Sequence, residues 1–200
     1  MIRPFAAILI AATSAAVLAQ APAPTRIRGT LEQVDGNLLT IKARSGETMK
    51  VKVPDNVVLM GVAKASMADI GKGKFIGTTT VGQRGGALVA EEVHIFPENM
   101  RGTGEGHRDW DLRPESKMTN ANVAEIKNMG DGRVMTVQYK GGEKQVLVTP
   151  RTSVVSYEPA SRADLKPGTG VFVNNAERQP DGTYTAPRVN VGLRGQVPPM

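Results

Sequence analysis

His107, Asp109 and Asp111 occupy alternate positions in the stretch "GHRDWDL". On an extended chain that spacing turns three side chains to one side, ~6.6 Å apart. An imidazole with two carboxylates suits zinc, manganese or another divalent ion. His94 would add a second imidazole and Glu105 another oxygen; these are the only two histidines in the chain. His94, His107, Asp109 and Asp111 are therefore the candidate metal ligands, although their spacing matches no familiar ligand pattern. A metal-activated water at the same residues would make the chain a hydrolase. The competing expectation is that the acids pair with Arg101, Arg108 and Arg113 on a solvated surface.

Trp110 is the only tryptophan. It stands between the two acids, so on a strand it faces away from His107. We expect it to pack against a β-domain and pin this segment down, since a lone tryptophan is mostly buried apolar area. With Arg101 and Arg108 it marks a candidate ligand or seam site. Gly102, Gly104 and Gly106 lie between those arginines and could cradle a phosphate. A nucleotide fingerprint, however, needs a preceding strand and a following helix. Here Pro114 follows closely, so a turning connector is the plainer expectation. No serine has a plausible histidine partner and there is no cysteine; no catalytic set stands out and no enzymatic activity is expected.

The elements that must position these residues are strands. In "LLTIKARSGETMKVKVP", Leu39, Ile41 and Ala43 alternate with Thr40 and Lys42. Ser45-Gly46 then breaks the run, and Met49, Val51 and Val53 alternate with lysines. The pattern recurs. Residues 39–54 lie over 135–150, with Thr40 on Thr136, Gly46 on Gly142 and Pro54 on Pro150. "ASMADIGKG" (65–73) lies over "ASRADLKPG" (160–168), and 87–95 over 183–191, placing His94 on Asn190. Such self-similarity indicates duplicated units. Each unit holds about five strands and one short turn, in which Asp69 or Asp164 should accept backbone N–H bonds. The expected fold is all-β: two tandem OB-like Greek-key barrels, residues 26–97 and 119–192, with a Gly-rich linker or seam at 98–118 and a tail at 193–200. On that division, a chain cut after about residue 118 should keep a folded first barrel, unless the seam carries much of its stability.

The first residues read differently. Arg3 precedes an apolar run from Phe5 to Ala19 that ends in Val17-Leu18-Ala19. The run is shorter than the ~20 residues of a spanning helix. Residues 1–19 are expected to be a secretory signal peptide, cut after Ala19, which gives a periplasmic or secreted protein. The alternative is an uncleaved anchor. The net charge is +6, carried evenly: +3 in 26–97, +3 in 119–200 and −1 in 98–118, with Arg3 supplying the last charge. Even spread favours a solvated surface over a polyanion-binding face. Aromatics make up only 4% of the chain, too few for the stacking platforms of single-strand binders, so nucleic acid is not expected as a partner.

The run from "VMTVQYKGGEKQVLVTP" through "ASRADLKPGTGVFV" to "DGTYTAPRVNV" resembles a widespread group of secreted bacterial domains of unknown function with OB-like barrels. The first unit keeps most of the pattern, with "QRGGALVAEEV" in place of the D-G hairpin. Chains with a similar "RGTGEGHR" link followed by "WD" are sometimes described as metal-transport permeases. This sequence contradicts that, because no segment after residue 19 reaches the ~18 apolar residues of a span. The resemblance implies no catalytic residues. The expected function is non-enzymatic binding, in the periplasm or envelope, of a small ligand, metal ion or envelope partner. The alternative is a divalent-metal binding or delivery protein using the His/Asp-rich linker, with that metal ion as its only cofactor.

Overall fold

The structure, a computed structural model, describes residues 25–199; the expected signal peptide lies outside the described residues. The fold is all-β. The first unit contributes β1 (Thr25–Asp35), β2 (Leu38–Ala43), β3 (Thr48–Lys52), β4 (Val58–Lys64), β5 (Phe75–Arg84) and β6 (Ala87–Ile95). The connector holds a 3₁₀ turn, Glu98–Met100, and β7 (Gly106–Asp109). The second unit contributes β8 (Lys117–Met129), β9 (Gly132–Tyr139), β10 (Gly142–Val148), β11 (Ser153–Pro159), β12 (Gly170–Arg178), β13 (Tyr184–Thr185) and β14 (Arg188–Gly192). The linker is thus structured: β7 pairs with β8, His107 opposite Thr119 and Asp109 opposite Lys117.

The duplication is visible in the turns. Met67–Asp69 and Arg162–Asp164 are both 3₁₀ turns, and Asp69 and Asp164 accept N–H bonds from Ser66 and Ser161 at 2.8 Å. Gly73 and Gly168 follow at φ of 82° and 85°, the left-handed region where a side chain is strained.

Strand pairing departs from two successive barrels. β1, β2, β3, β13 and β12 run side by side and close into a five-stranded ring through β1–β12. β6, β10, β9, β8 and β5 form a second series, closed through β5–β6. Each ring therefore takes three strands from one unit and two from the other, and the boundaries 26–97 and 119–192 do not enclose them. The correction has a physical cause. β4 and β11, the fourth strands of the two units, pair antiparallel with each other, Tyr157 opposite Val62. That pairing carries the rest of each unit across to the other. β6 then runs parallel to β10 and β11, while β13 and β14 run parallel to β3 and β4. Alternation alone could not reveal this exchange, because every strand keeps its buried face in either arrangement.

Two apolar clusters fill the rings. Ile27, Leu31, Leu39, Ile41, Val171, Val173, Val189 and Val191 meet in one; Ile76, Val93, Ile95, Ala121, Val137 and Val146 meet in the other. A third cluster lies between the rings: Val62, Phe75, Phe96, Val155, Tyr157 and Phe172, with Met60, Met100 and Trp110 against it. Phe96 sits 5.1 Å from Phe75 and 5.2 Å from Tyr157, ring centre to ring centre, the spacing of favourable tilted aromatic pairs. No helix among the described residues is long and apolar enough to cross a membrane.

Candidate functional site

Side chains alternate across a strand, so residues between those filling a ring must face outward. On the ring of β5, β6 and β8 they meet in rows. His94, Gly77 and Asn120 are neighbours across three strands, and Glu92, Thr79 and Met118 make the next row. Across β14, β12 and β1, at the other ring, the row matching the first is Asn190, Phe172 and Arg28. The two outer faces look toward each other. The connector, through Met100, Thr103, Arg108 and Trp110, covers the gap and leaves a cleft of about 120 Å³. A larger hollow adjoins it, sharing Asn174, Arg188 and Asn190 but lacking aromatic walls, and others on the surface are more open.

His94 forms the floor of the cleft. It is 2% exposed, and its Nδ1 lies 3.2 Å from Oε1 of Glu92, which is 1% exposed. Phe96 and Tyr157 present their rings edgewise at 4.9 and 5.5 Å. The histidine fits because its neighbour on β5 has no side chain. A Cβ on Gly77 would stand 1.8 Å from His94 Nε2 and 2.6 Å from Asn120 Oδ1. Burial, with the Glu92 carboxylate adding to it, holds the Tyr157 phenol above its usual range.

The polar atoms of the cleft are unevenly satisfied. Asn120 donates from Nδ2 to the Thr103 carbonyl at 2.9 Å, which fixes the orientation of its amide. Its Oδ1 is then buried with no hydrogen-bond partner among the described residues, and so is Trp110 Nε1. Glu92 Oε2 and Arg28 Nε are in the same state. A buried polar atom left unpaired costs about 1–3 kcal/mol, so two at one small cleft, one acceptor and one donor, are a site-like feature.

Charge at the cleft is positive. Arg26 stacks 4.0 Å over Trp110, and Arg108 approaches the same ring at 5.9 Å. Arg28 lies 4.9 Å over Phe172. Asp111 accepts from Arg28 at 2.7 Å and pairs with Arg26 at 3.3 Å. Burial opposes ionisation of Asp111, yet the Arg28 hydrogen bond and the two positive charges hold its carboxyl below the usual range. Arg108 is instead pushed down by burial and by the like charge of Arg26. It hydrogen-bonds the Gly104 carbonyl at 2.7 Å and has no carboxylate partner among the described residues.

The expected metal ligands are not brought together. His94 is sealed against Glu92. His107 lies on β7, its Nδ1 2.8 Å from Thr119 Oγ1 and its ring stacked 6.4 Å from Tyr139. Asp109 pairs with Lys117, and Asp111 crosses to Arg26 and Arg28. Glu105 accepts the Lys140 N–H at 2.9 Å. No three His, Asp or Glu side chains among the described residues converge on one point. The reason is local: β7 ends at Asp109, and Ser116 staples the turn that follows by donating to the Trp110 and Arg113 carbonyls. Asp111 thus leaves the face that strict alternation would give it. Arg101 also leaves the site, reaching Glu98, Asn122 and the Gly73 carbonyl instead. Trp110, Arg108 and His94 remain.

His107 carries a pH prediction. Burial lowers its pKa, and Lys144 and Lys117 lower it further. A depressed histidine favours the neutral folded form. The unfolded chain therefore binds the extra proton first, and stability falls as pH drops through the region below ~6.5. Thermal melts from pH 8 to pH 5 should show a decline that His107→Gln reduces. An identical slope in the variant removes His107 as the cause.

Comparison with known proteins finds no matching family model, no matching curated protein and no matching solved structure. Gly77, Glu92, Asn120 and Asn190 could not be singled out as site residues by type. The repeat alignment touched the site at one point only: it placed His94 on Asn190, and both line the cleft.

Proposed function

We propose that the chain is an exported, non-enzymatic binding protein of the cell envelope, cut after Ala19, in which two OB-like barrels with exchanged strands hold a small ligand between them. The observation that carries this is the cleft itself, with aromatic walls, excess positive charge, and the unpaired Asn120 Oδ1 and Trp110 Nε1. Binding sites are concave and largely apolar, with a few convergent polar groups, and this cleft has that make-up. The dispersal of His107, Asp109 and Asp111 weighs against a divalent-metal carrier.

The chain supplies its own reporter, because its only tryptophan lines the cleft. Purified mature protein is titrated with panels of organic acids, amino acids, sugars and divalent cations, following tryptophan emission and melting temperature. At least one compound should change both in a saturable way. If none does at millimolar concentration, the binding reading is wrong. Export is checked separately: the intact mass of protein recovered from outside the cytoplasm should begin at Gln20, and a product retaining residues 1–19 overturns it.

A further inference from the structure

The cleft's chemistry narrows the ligand class. We propose that it binds a short-chain hydroxycarboxylate, an inference that rests on the cleft being a binding site at all. Two features select for an anion. Arg108 and Arg188 both line the cleft, and neither pairs with a carboxylate among the described residues. Their positions allow a carboxylate to accept charge-assisted bonds that no protein acid now supplies. Of the acids nearby, Asp111 is already shared by Arg26 and Arg28, and Glu92 is engaged by His94 Nδ1. The ligand charge would also relieve the repulsion between Arg108 and Arg26.

Two further features select for a hydroxyl and for small size. Asn120 Oδ1 is an acceptor with its orientation fixed by the Thr103 carbonyl, on a residue 5% exposed. It needs a donor, which a plain carboxylate lacks and a hydroxy acid provides. Trp110 Nε1 is a donor and needs an acceptor, which the carboxylate provides. The cleft volume of about 120 Å³ is well below the ~300–1,000 Å³ of sites for drug-sized ligands. Only a few carbons fit, against Phe172 and Phe96. His94 forms the base, and Gly77 leaves room for it and for Asn120.

The test titrates the full mature chain with glycolate, lactate and glycerate, following tryptophan emission and calorimetric heat. Lactamide keeps the hydroxyl without the charge; propionate keeps the charge without the hydroxyl; inorganic phosphate is an anion without either carbon feature. At least one hydroxy acid should saturate the signal and bind at least ten-fold more tightly than its amide, its deoxy analogue and phosphate. Arg188→Gln removes a side chain with no hydrogen bond or ion pair among the described residues, so the fold should melt unchanged while affinity drops at least ten-fold. Asn120→Ala, which removes the acceptor, should remove the preference for lactate over propionate. Absence of saturable binding by all three acids, equal binding of lactamide, or unchanged affinity in Arg188→Gln overturns the inference. If another panel compound still shifts Trp110 emission, only this ligand class fails; if nothing does, the binding reading fails with it.

Discussion

A chain ending at residue 118 should not fold as a monomer. It keeps β1, β2 and β3 but loses β12 and β13, which close their ring. It also loses Val171, Val173, Val189 and Val191 from the core those strands share. Burying one such side chain contributes about 1.5–3 kcal/mol, so four exceed the low end of a domain's net stability, ~5–15 kcal/mol. In the same fragment, β5 and β6 lose β8, β9 and β10. Circular dichroism and a urea titration should show no cooperative transition for the monomeric fragment. Two fragments, residues 20–116 and 117–200, should recover the folded form when mixed, because each holds the strands that the other lacks. A fragment 20–118 that melts cooperatively as a monomer would return the fold to two independent barrels.

Gly77→Ala should be the most damaging methyl that can be added at the cleft. The new Cβ would stand 1.8 Å from His94 Nε2 and 2.3 Å from Cε1. His94 cannot swing aside easily, since Glu92, Phe96 and Tyr157 hold its ring. Overpacking typically costs about 1–3 kcal/mol, and this site belongs at the top of that range or beyond, because the neighbour is a packed ring and not a flexible tip. The second unit shows how to relieve the clash: there the pair is Phe172 with Asn190. Gly77→Ala with His94→Asn should therefore recover more than half of the loss, measured by denaturant midpoint at constant slope. Equal midpoints for the single and double variants would mean that the clash does not act through His94.

The all-β character, the paired turns and the site's Trp110 were legible because each rests on local chemistry. Leu39 and Ile41 alternate with polar neighbours and are buried; Asp69 and Asp164 accept the bonds that their turns require. The exchange of strands was not legible. Val171 packs into a ring the same way whichever unit supplies its partner, so its apolar character is silent about β1 or β8. The same limit applied to the metal set. Alternation aligned His107, Asp109 and Asp111 on one side, but one strand end and a serine-stapled turn placed Asp111 against Arg26 and Arg28. His94 was aligned with Asn190 and expected as a metal ligand. What set it apart was the missing side chain of Gly77 on a neighbouring strand, a relation that exists only once the strands are paired.

The ring of β1 is closed by pairs such as Thr30 with Gly170. Its opening strand is thus synthesised well over a hundred residues before its closing partner. Loop closure between such distant residues slows folding. The other ring waits as well, since β5 and β6 must be joined by β8, β9 and β10. The second ring can close once β10 has emerged, but the first must wait for β12 and β13. β1, β2 and β3 stay without their closing strands until most of the chain has emerged, a schedule that suits any route on which the chain must pass through a narrow channel before that ring takes shape.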